Sequence, residues 1–334
     1  MTDTTTRPTR ARPRVTDETA FTFRGGGARA DRLFQALCVG AGLLVLAILA
    51  LILISTAHQA WPAFRDEGPS FIGTDDWAPN NGKFGALALI YGTVVVSIIA
   101  LVIAVPVSIG IALFLTEIAH RRLRVWVVTV IDLLAATPSV VFGLWGIIVV
   151  APKLVPVYEW FHDVFGGIPI LGRLFGQPVG NGYTYMTAGI IVAIMIMPII
   201  TSITREVYGT VPSVDKQAAY ALGATRWEMI KGVVFPHSFA GMVGAAMLGL
   251  GRAMGETIAI ALVIGAAVQI TPNLYASGEA MPSIIVRQWG ESSGVHTSAL
   301  VGLGVVLFAI TVLVNYVARF VVRRAEQRMR GATA

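Results

Sequence analysis

Charged side chains are scarce in this sequence. Only 13% of its 334 residues are Asp, Glu, Lys or Arg, whereas 55% are hydrophobic and the mean hydropathy is +0.72. A soluble globular chain carries roughly 25% charged residues. The composition therefore argues against an ordinary soluble domain and indicates a chain that lies mostly in lipid.

Cysteine and phosphate-binding glycine motifs are also nearly absent. Cys38 is the only cysteine, so no internal disulfide can form and nothing indicates thiol chemistry. No G-x-x-x-x-G-K-[ST] loop occurs. The run Gly249–Gly255 has the spacing G-x-G-x-x-x-G and follows no strand, so we do not interpret it as a nucleotide site. We expect no metal or cofactor on this chain, and any ATP and Mg²⁺ chemistry is expected on a partner subunit.

Long apolar runs are what the sequence does contain. A membrane-spanning helix needs about 20 apolar residues, and the sequence predicts an all-α polytopic membrane protein with six such helices. The first run lacks a small-x-small cleavage pattern behind it and is expected to be a retained signal anchor. The predicted spans are 33–57, 85–115, 125–151, 186–204, 239–270 and 297–318.

Basic residues predict the orientation of these spans. They concentrate before the first span, after the second, between the fourth and fifth, and after the sixth, whereas the other connections carry few. Because cytoplasmic loops are enriched in Lys and Arg, both termini and the loop 213–238 are expected in the bacterial cytoplasm. The net charge of +6 then reflects topology and anionic lipid rather than nucleic acid.

The same patterns divide the chain into segments. We expect a disordered basic tail at 1–32, the first transmembrane helix at 33–57, an extracytoplasmic loop at 58–84, a permease core at 85–320 and a basic tail at 321–334. Within the outer loop 152–185, the aromatic stretch 157–165 predicts a short interfacial helix, either a membrane anchor or a contact for an extracytoplasmic protein. Prolines within spans indicate kinks, either around a pathway or for packing, and these are Pro106, Pro138 and Pro198.

The polar stretch 213–238 is the most informative part of the chain. A Pro-Ser entry signal at Pro212 and Ser213 precedes good helix formers, Gly223 interrupts them, and the pattern ends at Pro236. It predicts two short helices joined at Gly223 outside the membrane. The small pair Ala218 and Ala219 allows close approach to a partner groove. An ordinary amphipathic loop is the alternative.

Two opposite charges lie within the fifth predicted span. Arg252 and Glu256 are four residues apart and are expected to share one helix face near the middle of the span. Each costs on the order of 3 kcal/mol at a bilayer centre, so the pair is expected to face a cavity or the bundle interior. A guanidinium suits phosphate-like oxyanions, which predicts a substrate contact. A structural intrahelical salt bridge is the alternative.

Further candidates surround this pair. Thr137 and Ser139 flank Pro138 and add hydroxyls to the predicted pathway, although such hydroxyls often bond a backbone carbonyl instead. Gly251 and Gly255 form a G-x-x-x-G, which predicts close packing against another helix.

The loop 213–238 resembles the "EAA" loop of ABC importer permeases. Seven residues fall in its register with no gap, with Gln replacing Glu, Val replacing Ile and Phe replacing Leu. Two further stretches, 137–146 and 251–259, resemble the PstC family of permease subunits of phosphate ABC importers. The register residues are Gln217, Ala218, Ala219, Gly223, Val233, Phe235 and Pro236.

This resemblance implies a type I ABC importer permease (MetI-like) fold and no enzymatic activity in the chain itself. It implies that Gln217, Ala218, Ala219, Gly223 and Pro236 couple to a separate ATPase. The implied partners are a PstA-like second permease subunit, a PstB-like ATPase dimer and a PstS-like phosphate-binding protein. Another oxyanion such as sulfate or molybdate, or an ATP-independent anion channel or carrier, remains the alternative at this point.

Overall fold

The computed structural model describes residues 27–331, with side chains at 30–320 and at Arg324. It is built almost wholly from helices, and the two-residue strands β1 (Trp77–Ala78) and β2 (Lys83–Phe84) pair antiparallel, with Trp77 opposite Phe84. The α-helices are α1 (Gly27–Glu67), α2 (Ser70–Gly73), α3 (Leu87–Leu113), α4 (Arg121–Ala136), α5 (Ser139–Trp145), α6 (Ala151–Phe165), α7 (Leu171–Leu174), α8 (Tyr185–Gly209), α9 (Ser213–Ala221), α10 (Arg226–Met229), α11 (Phe235–Gly255), α12 (Ile258–Val263), α13 (Met281–Gln288) and α14 (Val295–Gly331).

Several helices are joined without a break by tighter or wider helical turns. Short 3₁₀ turns lie at Pro79–Asn81 and Trp289–Glu291. Three π-helical segments extend or connect the α-helices, and they are Phe114–Ile118, Gly146–Val150 and Ile230–Val234.

Six of the described helices are long and apolar enough to cross a membrane, which confirms the predicted all-α architecture with six spans. The last of them continues as a helix to Gly331, across most of the predicted basic tail 321–334. Most of the predicted N-terminal tail, residues 1–26, lies outside the described residues. The observed spans are Ala30–Glu67, Leu87–Ile118, Ser139–Phe165, Tyr185–Gly209, Arg226–Gly255 and Val295–Phe320.

The third span differs from the prediction of 125–151. The helical path breaks at Pro138, where Thr137 and Pro138 are both extended with ψ of 129° and 141°. Proline lacks an N–H donor and disfavours a helical residue before it, so α4 ends at Ala136. The span runs instead from Ser139 through α6, and the aromatic stretch 157–165 is its end rather than a separate interfacial helix.

The fifth span also differs from the prediction of 239–270. It begins at Arg226, within the predicted coupling segment, and ends at Gly255. Residues beyond it form a helical hairpin in which the short helix α12 leads to a non-helical connection and then to α13. At the start of this connection Gly265 has φ +96° and Ala266 has φ +64°, and Gly265 bridges to Gly278. Apolar composition alone does not reveal where the fifth span ends, because α12, which follows it, is itself wholly apolar.

The helix α8 forms the centre of the bundle. In its most apolar stretch 61% of the residues are buried, against 33% or less in the other five spans. Its glycine Gly189 faces Ile99 of α3, and its Ile200 faces Gly249 of α11. Of the three prolines predicted to kink spans, Pro106 and Pro198 lie inside continuous helices and only Pro138 breaks one.

The chain divides into two compact units after Ile52. In the first unit, the described residues 30–52 are exposed on every side, Cys38 included. In the second unit, Ala60 and Ala63 are fully buried, and the ring of Phe64 packs edge-on against Phe71 at 5.0 Å.

Candidate functional site

The Arg252–Glu256 pair lies at a helix end, not along a continuous helix. Arg252 is in the last turn of α11, whereas Glu256 follows it in an extended conformation with φ −69° and ψ 130°. The Nη2 of Arg252 is 3.9 Å from Oε2 of Glu256. The prediction of a shared helical face is therefore wrong, although the two charges do meet. Gly255 ends the helix, and the hydroxyl of Thr257 donates to its carbonyl oxygen at 3.1 Å.

The two charges differ in their access to solvent. The side chain of Arg252 is 42% exposed, whereas that of Glu256 is 7% exposed. The second carboxylate oxygen of Glu256, Oε1, accepts from the backbone N–H of Ala259 at 3.4 Å. Glu256 is thus held by the start of α12, and at the long separation of 3.9 Å it restrains Arg252 weakly. The guanidinium is free to present most of its five donors to an incoming anion.

The predicted pathway hydroxyls are not brought into contact with this pair. The hydroxyl of Thr137 donates to the carbonyl of Leu133 at 3.0 Å, and the residue lines a small apolar cavity of about 250 Å³ beside Phe142 and Trp145. Ser139 begins α5, which packs against α12 through Gly143 and Ala259. Ser139 therefore lies on α5, which packs beside the helix that follows the charge pair, whereas the hydroxyl of Thr137 is already bonded to the backbone.

The segment 213–238 has the predicted helix–glycine–helix form. Helix α9 begins at Ser213, Gly223 adopts φ +84°, and α10 follows with a capping box in which Thr225 and Glu228 bond reciprocally. The predicted end at Pro236 is wrong, because the chain continues through the π segment Ile230–Val234 into α11. Pro236 is the second residue of α11 and lies directly after the π segment.

One side of this segment is unpartnered within the described chain. Gln217 and Ala218 are exposed, whereas Ala219 packs against a buried cluster that includes Tyr208 and Met229. Large apolar side chains also face outward, which is unusual for a polar connection. These exposed side chains are Val214 (70%), Tyr220 (45%), Leu222 (90%) and Trp227 (60%).

The other side of the segment is tied to the end of α3. Lys216 Nζ lies 2.6 Å from Oε1 of Glu117, and the two side chains are only 21% and 10% exposed. Glu117 belongs to the π segment that extends α3. The sequence assigns Glu117 no special role, because no local pattern connects it with Lys216, which is 99 residues away. The pair is visible only in the structure, where the π segment after α3 lies beside α9.

The predicted close packing at Gly251 and Gly255 is not found within the described chain. A Cβ added at either glycine meets no atom within 4 Å. The close approaches in α11 occur instead at Gly241, against Val207, and at Gly249, against Ile200. The small-residue face at Gly251 and Gly255 is thus left open beside Arg252.

Curated relatives match nearly the whole chain. It is 45% identical over 304 residues to the phosphate transport system permease protein PstC of Mesorhizobium japonicum, covering 90% of this chain and 92% of the relative. It is 42% identical to PstC of Xylella fastidiosa, covering 90% and 93%. It is also 40% identical to PstC 2 of Mycobacterium tuberculosis, covering 87% and 91%.

A family model and a solved structure agree with these relatives. Residues 104–331 match the model described as "Binding-protein-dependent transport system inner membrane component". The crystal structure of a bacterial alginate ABC transporter in complex with its alginate-bound periplasmic protein aligns with a TM-score of 0.52 and 18% identity, covering 90% of this chain and 99% of that one. That likeness supports the ABC importer permease (MetI-like) fold alone.

These findings define the class of molecule. The chain is a multi-pass membrane transport subunit and not an enzyme, and the ABC system to which such a subunit belongs includes a separate ATPase and a substrate-binding protein. The Arg252–Glu256 pair at the end of α11 and the helix–glycine–helix segment both lie within residues 104–331, the part of the chain that matches the family model. The chain belongs to the PstC family of binding-protein-dependent transport system inner membrane components.

Proposed function

We propose that this chain translocates inorganic phosphate as the permease subunit of an ATP-driven importer. The observation that carries the proposal is its 40–45% identity, over about 90% of its length, to relatives named as phosphate transport permeases. The half-exposed Arg252 adds a chemical reason, because a guanidinium is always charged and presents a fork of donors to oxyanions.

Arg252 is the proposed phosphate contact. A permanent cation between apolar helices lowers the cost of dehydrating an anion, and several free N–H donors replace part of its water shell. The weak 3.9 Å contact with Glu256 lets the guanidinium turn toward a substrate without breaking a strong ion pair. Transport requires such weak binding, since a contact that holds its anion tightly slows release.

Glu256 is the proposed selector. A carboxylate repels a fully deprotonated oxyanion but accepts a hydrogen bond from one that keeps a proton. Monohydrogen phosphate has such a proton and sulfate has none. The carboxylate of Glu256 is buried and fixed by Ala259, so it cannot swing away from a competing anion.

The segment 213–238 is the proposed coupling element, with both chain termini on the same, cytoplasmic side. Its exposed Gln217, Ala218 and Leu222 would face a PstB-like ATPase, and the left-handed Gly223 sets the angle between α9 and α10. The open face at Gly251 and Gly255 would receive a PstA-like subunit. A PstS-like protein would deliver phosphate on the opposite side.

Transport then proceeds by alternating access. ATP binding closes the ATPase dimer and draws the two coupling segments together. The Lys216–Glu117 pair and the buried cluster around Tyr208 pass this movement to the ends of α3 and α8. The pathway opens outward to receive phosphate, and hydrolysis returns it to the inward-facing state. No covalent chemistry takes place on this chain.

The test is uptake of labelled phosphate into vesicles that carry the co-expressed complex, with and without ATP, in the presence of sulfate or molybdate. ATP-dependent uptake that neither competitor reduces is the expected result. ATP-dependent uptake of sulfate or molybdate instead of phosphate would contradict the substrate and keep the transporter class. Equal uptake without ATP would contradict the coupling and favour a channel or carrier.

A further inference from the structure

A second arginine is held by a buried glutamate in the hairpin that follows α11. Nη2 of Arg287, on α13, lies 3.1 Å from Oε2 of Glu279. The side chain of Arg287 is 34% exposed and that of Glu279 is 3% exposed. This repeats the arrangement at Arg252 and Glu256, where a half-exposed cation is restrained by a buried carboxylate. Unlike that pair, the second one has no part in the proposed function.

Glu279 is a fixed anchor. Its Oε1 accepts from the Ser283 hydroxyl and, at 3.1 Å, from the N–H of Ala280. Its backbone carbonyl lies against Gly92 of α3, so a larger side chain at position 92 would collide with it. Burial raises the pKa of Glu279, and Ser283 and Arg287 lower it in turn. Arg287 therefore stabilises the buried carboxylate, and the hydrogen bonds from Ser283 and Ala280 hold that carboxylate in place.

Arg287 also lies beside the short helix α12, which begins two residues after Glu256. Its Nη2 is 3.3 Å from the carbonyl oxygen of Ala261 in α12. Ala261 lies three residues beyond Ile258, the first residue of α12, or about 4.5 Å at the helical rise of about 1.5 Å per residue. The short helix α12 thus links the two guanidinium groups, and Gly255 and Ile258, which lie between them in the sequence, are exposed in the described chain.

The direction from Arg252 to Arg287 leads away from the coupling segment. The connection after α12 is hydrogen-bonded to the residues before α8, since the Ser277 hydroxyl donates to the carbonyl of Tyr183 at 2.9 Å. The helix α8 begins at Tyr185 and ends at Gly209, close in sequence to the segment that starts at Ser213. Gln288, the residue after Arg287, accepts from Nε1 of Trp77 at 2.9 Å, which places Arg287 beside the connection between the first two spans, extracytoplasmic in the proposed orientation.

We propose that Arg287 is a second oxyanion contact, which receives phosphate on the extracytoplasmic side and passes it to Arg252. This inference rests on the proposed function. Among the described contacts only Nη2 of Arg287 is engaged, so Nε and Nη1 remain available as donors. Two weak contacts in series lower the barrier between entry and release more than one strong contact does.

The competing explanation is a purely structural salt bridge that closes the hairpin, and paired neutral variants separate the two. Arg287→Gln alone leaves the buried Glu279 without its cation, which risks misfolding. The double variant Glu279→Gln/Arg287→Gln removes both charges and keeps much of their size and hydrogen-bonding capacity. A matched control is Lys83→Gln, which breaks the exposed Lys83–Asp76 pair in the β1–β2 hairpin.

The experiment measures initial rates of ATP-dependent phosphate uptake over a range of phosphate concentrations in vesicles. Each variant is assayed as the co-purified complex delivered with its binding protein. We expect the double neutral variant to assemble and hydrolyse ATP but to lose roughly tenfold in uptake at low phosphate, the scale of one charge-assisted hydrogen bond. Arg287→Lys is expected to recover part of this loss, and Lys83→Gln to behave as wild type.

Wild-type uptake kinetics in the double neutral variant would overturn the proposal. The two glutamines can preserve the packing of the hairpin, but they offer phosphate no charged contact. An equal loss in Arg287→Lys and Arg287→Gln, with disrupted assembly in both, would also overturn it. The failure of the proposed function looks different, since the wild-type complex itself would then show no ATP-dependent phosphate uptake.

Discussion

In the proposed mechanism, the charge of Arg252 must be compensated within the membrane and still be available to the substrate. An uncompensated charge costs on the order of 3 kcal/mol within a bilayer, so Glu256 must remain near it. A close, bidentate ion pair would occupy the fork of donors that an anion needs. The observed separation of 3.9 Å meets both needs because the helix ends between the two residues. A continuous helix would not fix Glu256 at Ala259 in this way.

Arg252→Ala is expected to abolish phosphate uptake while the complex still assembles, because the 3.9 Å contact with Glu256 is weak and Glu256 keeps the backbone N–H of Ala259 as a partner. Arg252→Lys, which keeps the charge but loses the planar fork, is expected to retain part of the uptake. Vesicle uptake and co-purification of the subunits measure the two effects. Arg173→Ala, which removes a cation from α7, serves as the control, and wild-type uptake in Arg252→Ala would contradict the assigned role.

The segment 213–238 combines a rigid attachment on one side with an exposed apolar surface on the other. Lys216 and Glu117 form a largely buried ion pair, and α10 continues into α11 without a break. A force applied to α9 or α10 is therefore transmitted to two different spans. Gly223 is the point between α9 and α10 where the path bends, and its left-handed conformation favours a residue without a Cβ.

Gly223→Ala is expected to weaken coupling between ATP hydrolysis and uptake, since the left-handed region costs a non-glycine residue about 1–2 kcal/mol. Gly232→Ala is the matched control, because that glycine lies in a helical segment with open space around it. The ratio of phosphate transported to ATP hydrolysed measures coupling. An unchanged ratio in Gly223→Ala would show that the bend is not required.

Reversal of one charge in the Lys216–Glu117 pair is expected to uncouple the transporter. In Lys216→Glu two carboxylates would meet in a largely buried site, which drives α9 away from the end of α3. The exchanged double variant Lys216→Glu/Glu117→Lys is expected to restore much of the uptake. If the double variant is no better than the single ones, the pair does not act as a link between the two elements.

Gly251 and Gly255 form a small-residue face of α11 that nothing in the described chain covers. A Cβ added at Gly251 or Gly255 would meet no atom within 4 Å in the described chain, although both lie in a helix apolar enough to cross a membrane. Because small residues let helices approach closely in lipid, the absence of a partner here is best explained by a second subunit. Arg252 would then lie at the junction of the two permease subunits.

Gly251→Leu is expected to reduce pairing with the second permease subunit without unfolding the chain, since the added side chain enters open space within this chain but collides with a close partner. Gly110→Leu is the control, because that glycine of α3 is equally open. Co-purification of the two permease subunits provides the measurement. Equal recovery for both variants would place the subunit interface elsewhere.

Much of this arrangement is predictable from the sequence, and the failures have common causes. Apolar composition predicts six spans, and the pattern around Gly223 predicts two helices joined at a glycine. Hydropathy does not distinguish helix from non-helical apolar chain, so it does not predict the end of the fifth span at Gly255. Contacts between distant residues leave no local signal, which is why the pairings of Glu117 and Arg287 are visible only in the structure.

The π segment Ile230–Val234 changes the direction in which side chains point in α11 relative to those in α10. A π turn holds one residue more than an α turn, and each residue of an α-helix advances the side chains by about 100°. Trp227 before the segment and Arg252 after it therefore face directions that differ by that angle from those of an uninterrupted helix. A single extra residue therefore sets the alignment between the proposed ATPase surface and the proposed substrate contact.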